Sequence, residues 1–222
     1  MANVWRIHLR KGGAEGSVSI GNYCINHKIA AMGWILESKN ADIKSGKITI
    51  NSYTDYEYYA ADVYGKVHDV RRLAEEVKPG DYIWTYYDKI YYLARVGTDS
   101  KYYYNASDEA IQNDACNQLT NIDWKAVGDC NIVDERITNR LQRGCTLQRL
   151  FNPKTNKANF DFALKYTKNI YNKNNDFLFG YKIDPAWGCY EKTEGDSFMI
   201  QADGKAVYNR FCRNKSRCSH QV

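Results

Sequence analysis

The stretch KPGDYIWTYYDKIYYLARVG, residues 78–97, decides the fold that we expect for this chain. Two runs rich in aromatic and β-branched residues, 82–87 and 90–96, flank the pair Asp88-Lys89. A Pro-Gly-Asp sequence precedes the first run, and a glycine follows the second. This pattern predicts a β-hairpin closed by a tight turn.

The hairpin is unusually aromatic. Side chains alternate between the two faces of a strand, so Tyr82, Trp84 and Tyr86 share one face. Two interpretations follow. The rings either belong to a core sheet with tyrosine hydroxyls at its rim, or one or two of them line a pocket for a flat ligand.

Composition indicates a globular protein. The 222 residues suffice for one large domain, or for one domain with an appendage, and 44% of them are hydrophobic. No apolar run is long enough to cross a membrane, and the N-terminus resembles a strand rather than a signal peptide. We therefore expect a cytoplasmic protein without membrane contact. The net charge of +5 permits a nucleic-acid partner without requiring one, and the 19 tyrosines suit a recognition surface.

The seven cysteines are scattered and form no C-x-x-C pair, which indicates reduced thiols rather than a disulfide framework. A zinc site from Cys189, Cys212, Cys218 and His220 is conceivable, but their spacing fits no common zinc finger. The expectation is a protein without metal or other cofactor.

The remaining pattern predicts an α+β fold. Further strands are expected at residues 4–10, 29–36, 101–105, 119–127, 145–151 and 177–183. Helices are expected at residues 18–27, 53–63, 68–77, 107–113, 134–141 and 159–172. Residues 37–51 are polar and predict a loop, and the alternation in residues 4–10 predicts a half-buried strand. A change of character near residue 152 suggests two parts: a domain at residues 1–151, and a helical, basic C-terminal α/β extension at 152–222 that either packs on this domain or forms an accessory subdomain.

Several short motifs, in their order along the chain, resemble the PUA-like superfamily and, within it, the EVE and YTH domains. They are Trp5-Arg6, Gly33-Trp34, Lys78-Pro79-Gly80-Asp81 and the run 91–96. A later segment, RGCTLQRL at 143–150, is similar to EVE-like reader domains of bacterial modification-dependent restriction and phage-defence proteins. The resemblance covers roughly residues 4–151. It implies a small, partly open β-barrel flanked by helices.

The resemblance also implies a function: a reader that flips a modified base, such as methylated adenine or cytosine, into an aromatic cage. Flipping costs a few kcal/mol of unstacking, and each aromatic stack returns about 1–3 kcal/mol, so two stacking faces can meet the cost. The cage candidates are Trp34, Trp84, Tyr86, Tyr91, Trp5 and Trp124. The candidates for hydrogen bonds to the base edge are Asp81, whose alternative role is to form a turn, and Arg6.

A second candidate group is basic. Arg136, Arg140, Arg143 and Arg149 could grip phosphates, because guanidinium groups match phosphate oxygens. The alternative is a solvated helix face with ion pairs to Asp134 and Glu135.

Other functions remain open. The chain could be an RNA-binding PUA-like domain, or a protein-interaction domain that brings specificity to an effector nuclease or belongs to a longer polypeptide. An enzyme is the less favoured hypothesis. A metal-dependent nuclease needs clustered carboxylates, and the only faint candidates are Asp184 with Glu191-Lys192 or Glu194. We therefore expect a reader without catalytic activity of its own.

Overall fold

The computed structural model describes residues 2–9, 20–141 and 146–172, and the three strands 181–184, 189–192 and 197–199. The chain divides into two compact units, Met1–Asn172 and Lys173–Val222. In the second unit, strands Tyr181–Asp184, Cys189–Lys192 and Ser197–Met199 form an antiparallel sheet. The first of these corresponds to the strand expected at 177–183.

The first unit contains eight strands and seven α-helices among its described residues. The strands are β1 (Val4–Ile7), β2 (Ala30–Met32), β3 (Tyr82–Tyr87), β4 (Ile90–Val96), β5 (Tyr102–Tyr104), β6 (Asn117–Leu119), β7 (Ile122–Gly128) and β8 (Leu147–Arg149). The helices are α1 (Ile20–Asn26), α2 (Asn40–Lys44), α3 (Tyr53–Tyr64), α4 (His68–Arg71), α5 (Asp108–Gln112), α6 (Glu135–Leu141) and α7 (Lys157–Asn172). A 3-10 turn at Glu37–Lys39 precedes α2, and a π-helical turn at Arg72–Glu76 continues α4.

The predicted hairpin is confirmed at the centre of the larger sheet. Asp88 and Lys89 both have positive φ, 48° and 63°, as a two-residue turn that matches the right-handed strand twist requires. The sheet order is β7-β4-β3-β1-β8, with β1 parallel to β3 and the other neighbours antiparallel. A separate antiparallel sheet has the order β2-β6-β5.

Both faces of the five-stranded sheet are covered. On one face, Trp5 and Ile83 join a core with the first helices and the smaller sheet. On the other face, Tyr82 and Trp84 join a second core with α6 and α7. The predicted alternation of side chains is therefore confirmed, and the aromatic face of β3 is largely core.

Three expectations about local structure were wrong. The strand expected at 29–36 ends at Met32, because Trp34 adopts a left-handed φ of 61°. The strand expected at 119–127 is two strands in different sheets, and Asn121, with φ 55°, lies between them. The loop expected at 37–51 contains the 3-10 turn and α2.

The expectation of a half-buried β1 was also wrong. All four residues of β1 are buried, because β1 lies between β3 and β8 and both faces of the sheet are covered. Arg6 is among them, with 1% of its surface exposed.

The first compact unit extends past residue 151. Helix α7 belongs to it, and Phe160 and Ala163 of this helix are buried in the second core. The indole Nε1 of Trp84 donates a hydrogen bond to Thr167 Oγ1 at 3.0 Å. The helix that the sequence assigned to an extension therefore covers the aromatic face of the hairpin.

The fold class α+β is confirmed. Within the described residues the strand orders show two open sheets in the first unit and no closed barrel. No described helix combines the length and the apolar character that a membrane crossing requires.

Candidate ligand pocket

A cavity of about 420 Å³ opens where the ends of β1, β2 and α3 come together. Its aromatic lining comes from Trp34 and Tyr64, and its polar lining includes His8, Glu37 and Asp114. Its volume lies within the range of small-molecule sites, about 300–1,000 Å³.

Trp34 forms an exposed wall of this pocket. Trp34 is 42% exposed, although its side chain is large and apolar. The Tyr64 ring meets the indole edge-on, with ring centroids 5.4 Å apart and planes at 81°. A left-handed φ at an aromatic residue costs roughly 1–3 kcal/mol and persists only where the surroundings impose it.

Asn117 is one of the groups that impose this conformation. It is fully buried on β6, and its Nδ2 donates to the carbonyl oxygens of Gly33 at 2.5 Å and Trp34 at 3.4 Å. Its Oδ1 accepts from the Tyr102 hydroxyl at 2.7 Å. Both ends of the amide are thus bonded, which fixes its orientation.

Three tyrosine hydroxyls bond the backbone of residues 33–36, which we call the pocket loop. The hydroxyl of Tyr56 donates to the Trp34 carbonyl at 2.9 Å, that of Tyr64 donates to the Ile35 carbonyl at 2.7 Å, and that of Tyr104 accepts from the Leu36 amide at 2.8 Å. Burial raises the pKa values of all three tyrosines, so they stay protonated at neutral pH. The pocket loop is therefore held by the smaller sheet, through β5 and β6, and by α3.

Gly33 allows a close approach that no other residue would. A Cβ on Gly33 would lie 2.0 Å from Asp114 Oδ1. The Asp114 carboxylate consequently lies against the backbone of the pocket loop, next to the Trp34 wall. In the Gly33-Trp34 pair, the glycine thus leaves space for the Asp114 carboxylate, and the tryptophan exposes its indole.

The pocket wall is electronegative. Glu37 and Asp114 supply carboxylates, and none of the described lining residues is a lysine or an arginine. Burial is the largest cause of the raised pKa of Tyr64, and the negative charges of Glu37 and Asp114 raise this pKa further. The arrangement offers aromatic surface and hydrogen-bond acceptors, which suits a flat ligand with N–H groups and disfavours a phosphate.

The structure does not bring the six cage candidates together. Only Trp34 lines the pocket. Trp5, Trp84 and Tyr91 are buried in the two cores, so their rings offer no face to a base. Tyr86 packs against Tyr91 with centroids 4.6 Å apart, and Trp124 is half-buried, with Nε1 donating to the Ile29 carbonyl at 2.7 Å.

Asp81 occupies a structural position. It is 2% exposed, and its carboxylate accepts from the amides of Asn3 and Lys78, at 2.7 and 3.1 Å, and from Trp5 Nε1 at 2.8 Å. It therefore ties the start of β1 to the turn before β3. This corrects the suggested contact with a base edge and favours the turn-forming role.

Arg6 is also enclosed. Its Nη2 donates to Gln148 Oε1 at 2.8 Å, and its Nη1 contacts Nε2 of the pocket residue His8. Arg6 is 1% exposed, which argues against the suggested contact of its guanidinium with a base edge.

The described arginines of the predicted phosphate patch have intramolecular partners. Arg136 is bonded through Nε and Nη2 to both carboxylate oxygens of Asp134, each at 2.9 Å, and lies over the Phe162 ring. Arg140 lies over Phe151. Arg149 lies over Trp5 and 3.7 Å from Glu76. Arg143 lies outside the described residues, and phosphate binding stays a prediction.

Among the described cysteines, Cys24 and Cys116 are buried and Cys130 is exposed. Where the chain is described, no cluster of three metal-ligating side chains occurs. The zinc candidates and the nuclease candidates have side chains outside the described part.

Sequence reasoning missed four pocket residues: His8, Glu37, Tyr64 and Asp114. The Gly33-Trp34 pair was the one local signal that pointed here. Glu37 follows this pair closely in the sequence, whereas His8, Tyr64 and Asp114 come from distant parts of the chain and only the fold brings them here.

A family model covers most of the first unit. Residues 5–150 match the family described as a domain of unknown function, DUF8426. No curated protein and no solved structure matches the chain. The match begins at Trp5 in β1 and ends at Leu150, just after β8, so it includes every described residue of the pocket. The chain belongs to the DUF8426 family.

Proposed function

We propose that this protein is a nucleic-acid-binding reader that takes a modified base, in DNA, into the pocket beside Trp34. The observation that carries the proposal is the exposed Trp34, held at φ 61° in the wall of a cavity of about 420 Å³. An exposed indole in a costly conformation, in a loop that three buried side chains hold in place, is expected where a ligand needs that ring.

The energetics favour a fixed pocket loop. A flipped base loses a few kcal/mol of stacking in the duplex, and stacking on an aromatic side chain returns about 1–3 kcal/mol. Trp34 supplies a stacking face, while Tyr64 supplies an edge. A loop that is already ordered by Tyr56, Tyr104 and Asn117 avoids a further entropic cost on binding.

The polar groups fit the base edge. The carboxylates of Glu37 and Asp114 can accept from an exocyclic amino group such as those of adenine and cytosine. The absence of lysine and arginine from the described lining argues that the base, and not its phosphate, enters the pocket.

The fold that we propose is PUA-like, of the EVE/YTH type. Support comes from the mixed sheet in which β1 runs parallel to β3, from the helices on its faces, and from the position of Gly33-Trp34 directly after β2. On this proposal, the protein provides specificity in a restriction or phage-defence system, and a separate effector provides cleavage.

The test is fluorescence-anisotropy binding of the full chain to matched duplexes at one salt concentration. The duplexes carry cytosine, 5-methylcytosine, 5-hydroxymethylcytosine, adenine or N6-methyladenine at one central position. We expect a preference of about tenfold or more for one modified duplex, equivalent to about 1.4 kcal/mol. Trp34→Ala should remove this preference.

Tyr58→Ala is the matched control. Tyr58 is an aromatic residue of α3, like Tyr64, but it is 76% exposed and lies outside the pocket lining. The Tyr58→Ala variant should keep the preference for the modified duplex. Equal binding of all duplexes by the unaltered chain would contradict the proposal, and a preference for matched RNA would favour an RNA reader.

One observation favours a second candidate, a protein-interaction domain. Two aromatic rings beside two carboxylates also suit a methylated ammonium group, which is attracted to the face of an indole. A trimethyl-lysine peptide separates the two functions. Tight binding of this peptide, lost in Trp34→Ala, together with no preference among duplexes, would favour the second candidate.

A further inference from the structure

Arg149 lies on the side of the five-stranded sheet that carries the pocket. It pairs with Trp5 where β8 meets β1, and its Cζ lies 4.9 Å from the centroid of the Trp5 ring. Trp5 belongs to the first core, as do Ile20 and Met32, which line the pocket. The pocket residue Thr146 comes three residues before Arg149. Because a strand rises about 3.3 Å per residue, the two residues are about 10 Å apart along the chain.

Arg72 approaches the same strand from the π-helical turn that continues α4. Its Nη1 lies 3.5 Å from the carbonyl oxygen of Leu147, the residue directly after Thr146. The residues 65–67 connect α4 to α3, whose last residue, Tyr64, lines the pocket. A π-helical turn is rare in proteins and is found frequently at functional sites. Arg72 and Arg149 therefore both lie against β8, close to the pocket.

The two guanidinium groups are loosely paired. Arg72 Nη1 lies 3.6 Å from Asp69 Oδ1, and Arg149 Nη2 lies 3.7 Å from Glu76 Oε2. Both distances exceed the usual length of an N–H···O hydrogen bond, about 2.7–3.2 Å. Within the described part of the chain, the Nε of Arg149 is shielded from water and has no hydrogen-bond partner.

Arg136 shows what a tightly paired arginine of this chain looks like. Its Nε and Nη2 each lie 2.9 Å from an oxygen of Asp134, so this edge of the guanidinium is already occupied. Arg72 and Arg149 can instead turn toward an anion without losing a short hydrogen bond, and a guanidinium matches the oxygens of a phosphate. Their side chains are 37% and 39% exposed, so a ligand in solution can reach them.

The charges around the two arginines leave room for an anion. Glu76 is shared, because Arg71 Nη2 also lies 3.4 Å from its carboxylate. Three arginines thus contact two carboxylates, those of Asp69 and Glu76. Glu57 and Glu75 act on the same tyrosine as Arg71 and offset its charge. The site for an anion is therefore at the two arginines beside β8 and not at Arg71.

We propose that Arg72 and Arg149 form a phosphate-binding surface, which holds the backbone of the nucleic acid whose base enters the pocket. The inference rests on the proposed function. Each strand of DNA carries one phosphate per 3.4 Å of helix axis, so about 10 Å from Thr146 to Arg149 corresponds to roughly three phosphates. The pocket then selects the base, and the two arginines add affinity that does not depend on sequence.

The test measures how salt weakens binding of the full chain to the modified and unmodified duplexes, between about 50 and 200 mM salt. Each phosphate contact contributes about 0.9 to the slope of log K against log salt concentration. Arg72→Gln and Arg149→Gln should each make the slope shallower by about this amount, and each should weaken binding to all duplexes by the same factor. Slopes equal to that of the unaltered chain in both variants would overturn the proposal.

Arg95→Gln is the matched control, because it removes the same charge from the same sheet. Arg95 is exposed on β4, and its partner Tyr82 pairs with Val4, at the opposite end of β1 from the pocket. This variant should keep the slope of the unaltered chain. An equal loss of slope in Arg95→Gln would show that only the net charge matters, and would overturn the assigned surface.

Glu76→Gln tests the same surface by a gain of binding, which a failure to fold could not produce. It removes the negative charge that Arg71 and Arg149 share. We expect tighter binding to every duplex at low salt and a steeper slope. Unchanged or weaker binding by a folded Glu76→Gln chain would contradict the proposal.

The same titrations separate this surface from the reader function. Equal binding of modified and unmodified duplexes, with a slope that falls in Arg72→Gln and Arg149→Gln, would retain the phosphate surface and overturn the reader. A preference for one modified duplex, with slopes that neither variant changes, would retain the reader and overturn the surface.

Discussion

At the residue scale, the strongest feature is the combination of Gly33 and Trp34. Their carbonyl groups are bonded by side chains from β6 and α3, and Trp34 is thereby kept in a left-handed conformation with its ring exposed. Three of the 19 tyrosines, Tyr56, Tyr64 and Tyr104, act in this way, because their hydroxyls form hydrogen bonds with the backbone of the pocket loop. The many tyrosines of this chain therefore include residues that hold the pocket loop in place as well as one, Tyr64, that lines the pocket.

Gly33→Ala should damage the pocket. The added Cβ would lie 2.0 Å from Asp114 Oδ1, so the carboxylate or the pocket loop must move. We expect a loss of about 1–3 kcal/mol in the free energy of unfolding, measured by urea denaturation.

The clash with Asp114 predicts a specific rescue. Asp114→Gly removes the carboxylate, and glycine adopts the positive φ of this position, 54°, without strain. In the Asp114→Gly background, Gly33→Ala should therefore cost much less stability. An equal cost in both backgrounds would show that the two residues do not interact as the structure indicates.

At the element scale, Asp81 joins strands that are far apart in sequence. Its carboxylate accepts three hydrogen bonds from groups in Asn3, Trp5 and Lys78, all at 3.1 Å or less. These bonds fix the parallel pairing of β1 with β3, the pairing on which the position of His8 depends.

Asp81→Ala should lower the free energy of unfolding by about 3 kcal/mol, because hydrogen bonds to a charged group contribute roughly 1.5–3 kcal/mol each and the buried donors would be left unpaired. Urea denaturation measures the change. Asp62→Ala, on the exposed side of α3, is the control and should change stability by about 0.5 kcal/mol or less. A similarly small effect of Asp81→Ala would contradict the structural role.

At the scale of the whole molecule, the compact unit and the family match end at different places. The unit extends to Asn172, whereas the match ends at residue 150. Helix α7 lies in the difference, and it covers Trp84 and the rest of the second core.

A chain shortened to residues 1–172 should therefore unfold cooperatively, and one shortened to 1–151 should not, because the shorter chain would expose the aromatic face of β3 to water. Thermal unfolding monitored by near-ultraviolet circular dichroism measures this difference. Equally cooperative unfolding of both would mean that α7 is dispensable and that the unit ends near residue 151.

Alkaline pH should destabilise the first unit. Burial raises the pKa of the Cys116 thiol from its ordinary 9.0 to about 12, and that of Tyr91 from 10.0 to about 12. The unfolded chain therefore loses these protons at lower pH than the folded chain does. The stabilisation that these two protonated groups contribute is fully present below their pKa values in the unfolded chain. It is lost as the pH rises through their pKa values in the folded chain, between about pH 9 and 12.

Tyrosinate absorbance and circular dichroism, followed together during an alkaline titration, measure this effect. We expect the tyrosines whose pKa burial raises, such as Tyr91, to ionise together with unfolding. Ionisation of nearly all 19 tyrosines near pH 10, the ordinary value, in a chain that stays folded would contradict the burial of these side chains.

The sequence by itself determined the elements whose signals are local. The β-hairpin follows from two β-rich runs around Asp88-Lys89, and the amphipathic periodicity of α7 and the Ser107 cap of α5 also predict their elements correctly. Short-range signals suffice for such elements because the interactions that form them connect residues close in sequence.

Only the tertiary structure decided which aromatic residues are available to a ligand. Trp84 and Trp34 both lie in runs from which the sequence predicts strands, yet α7 covers Trp84. Four side chains from α3, β5 and β6 instead hold the loop that carries Trp34 at the surface. The pocket residues His8, Tyr64 and Asp114 come together in the same way, through contacts between distant segments. Burial depends on what packs against a side chain, and that is a property of the whole fold rather than of the local sequence.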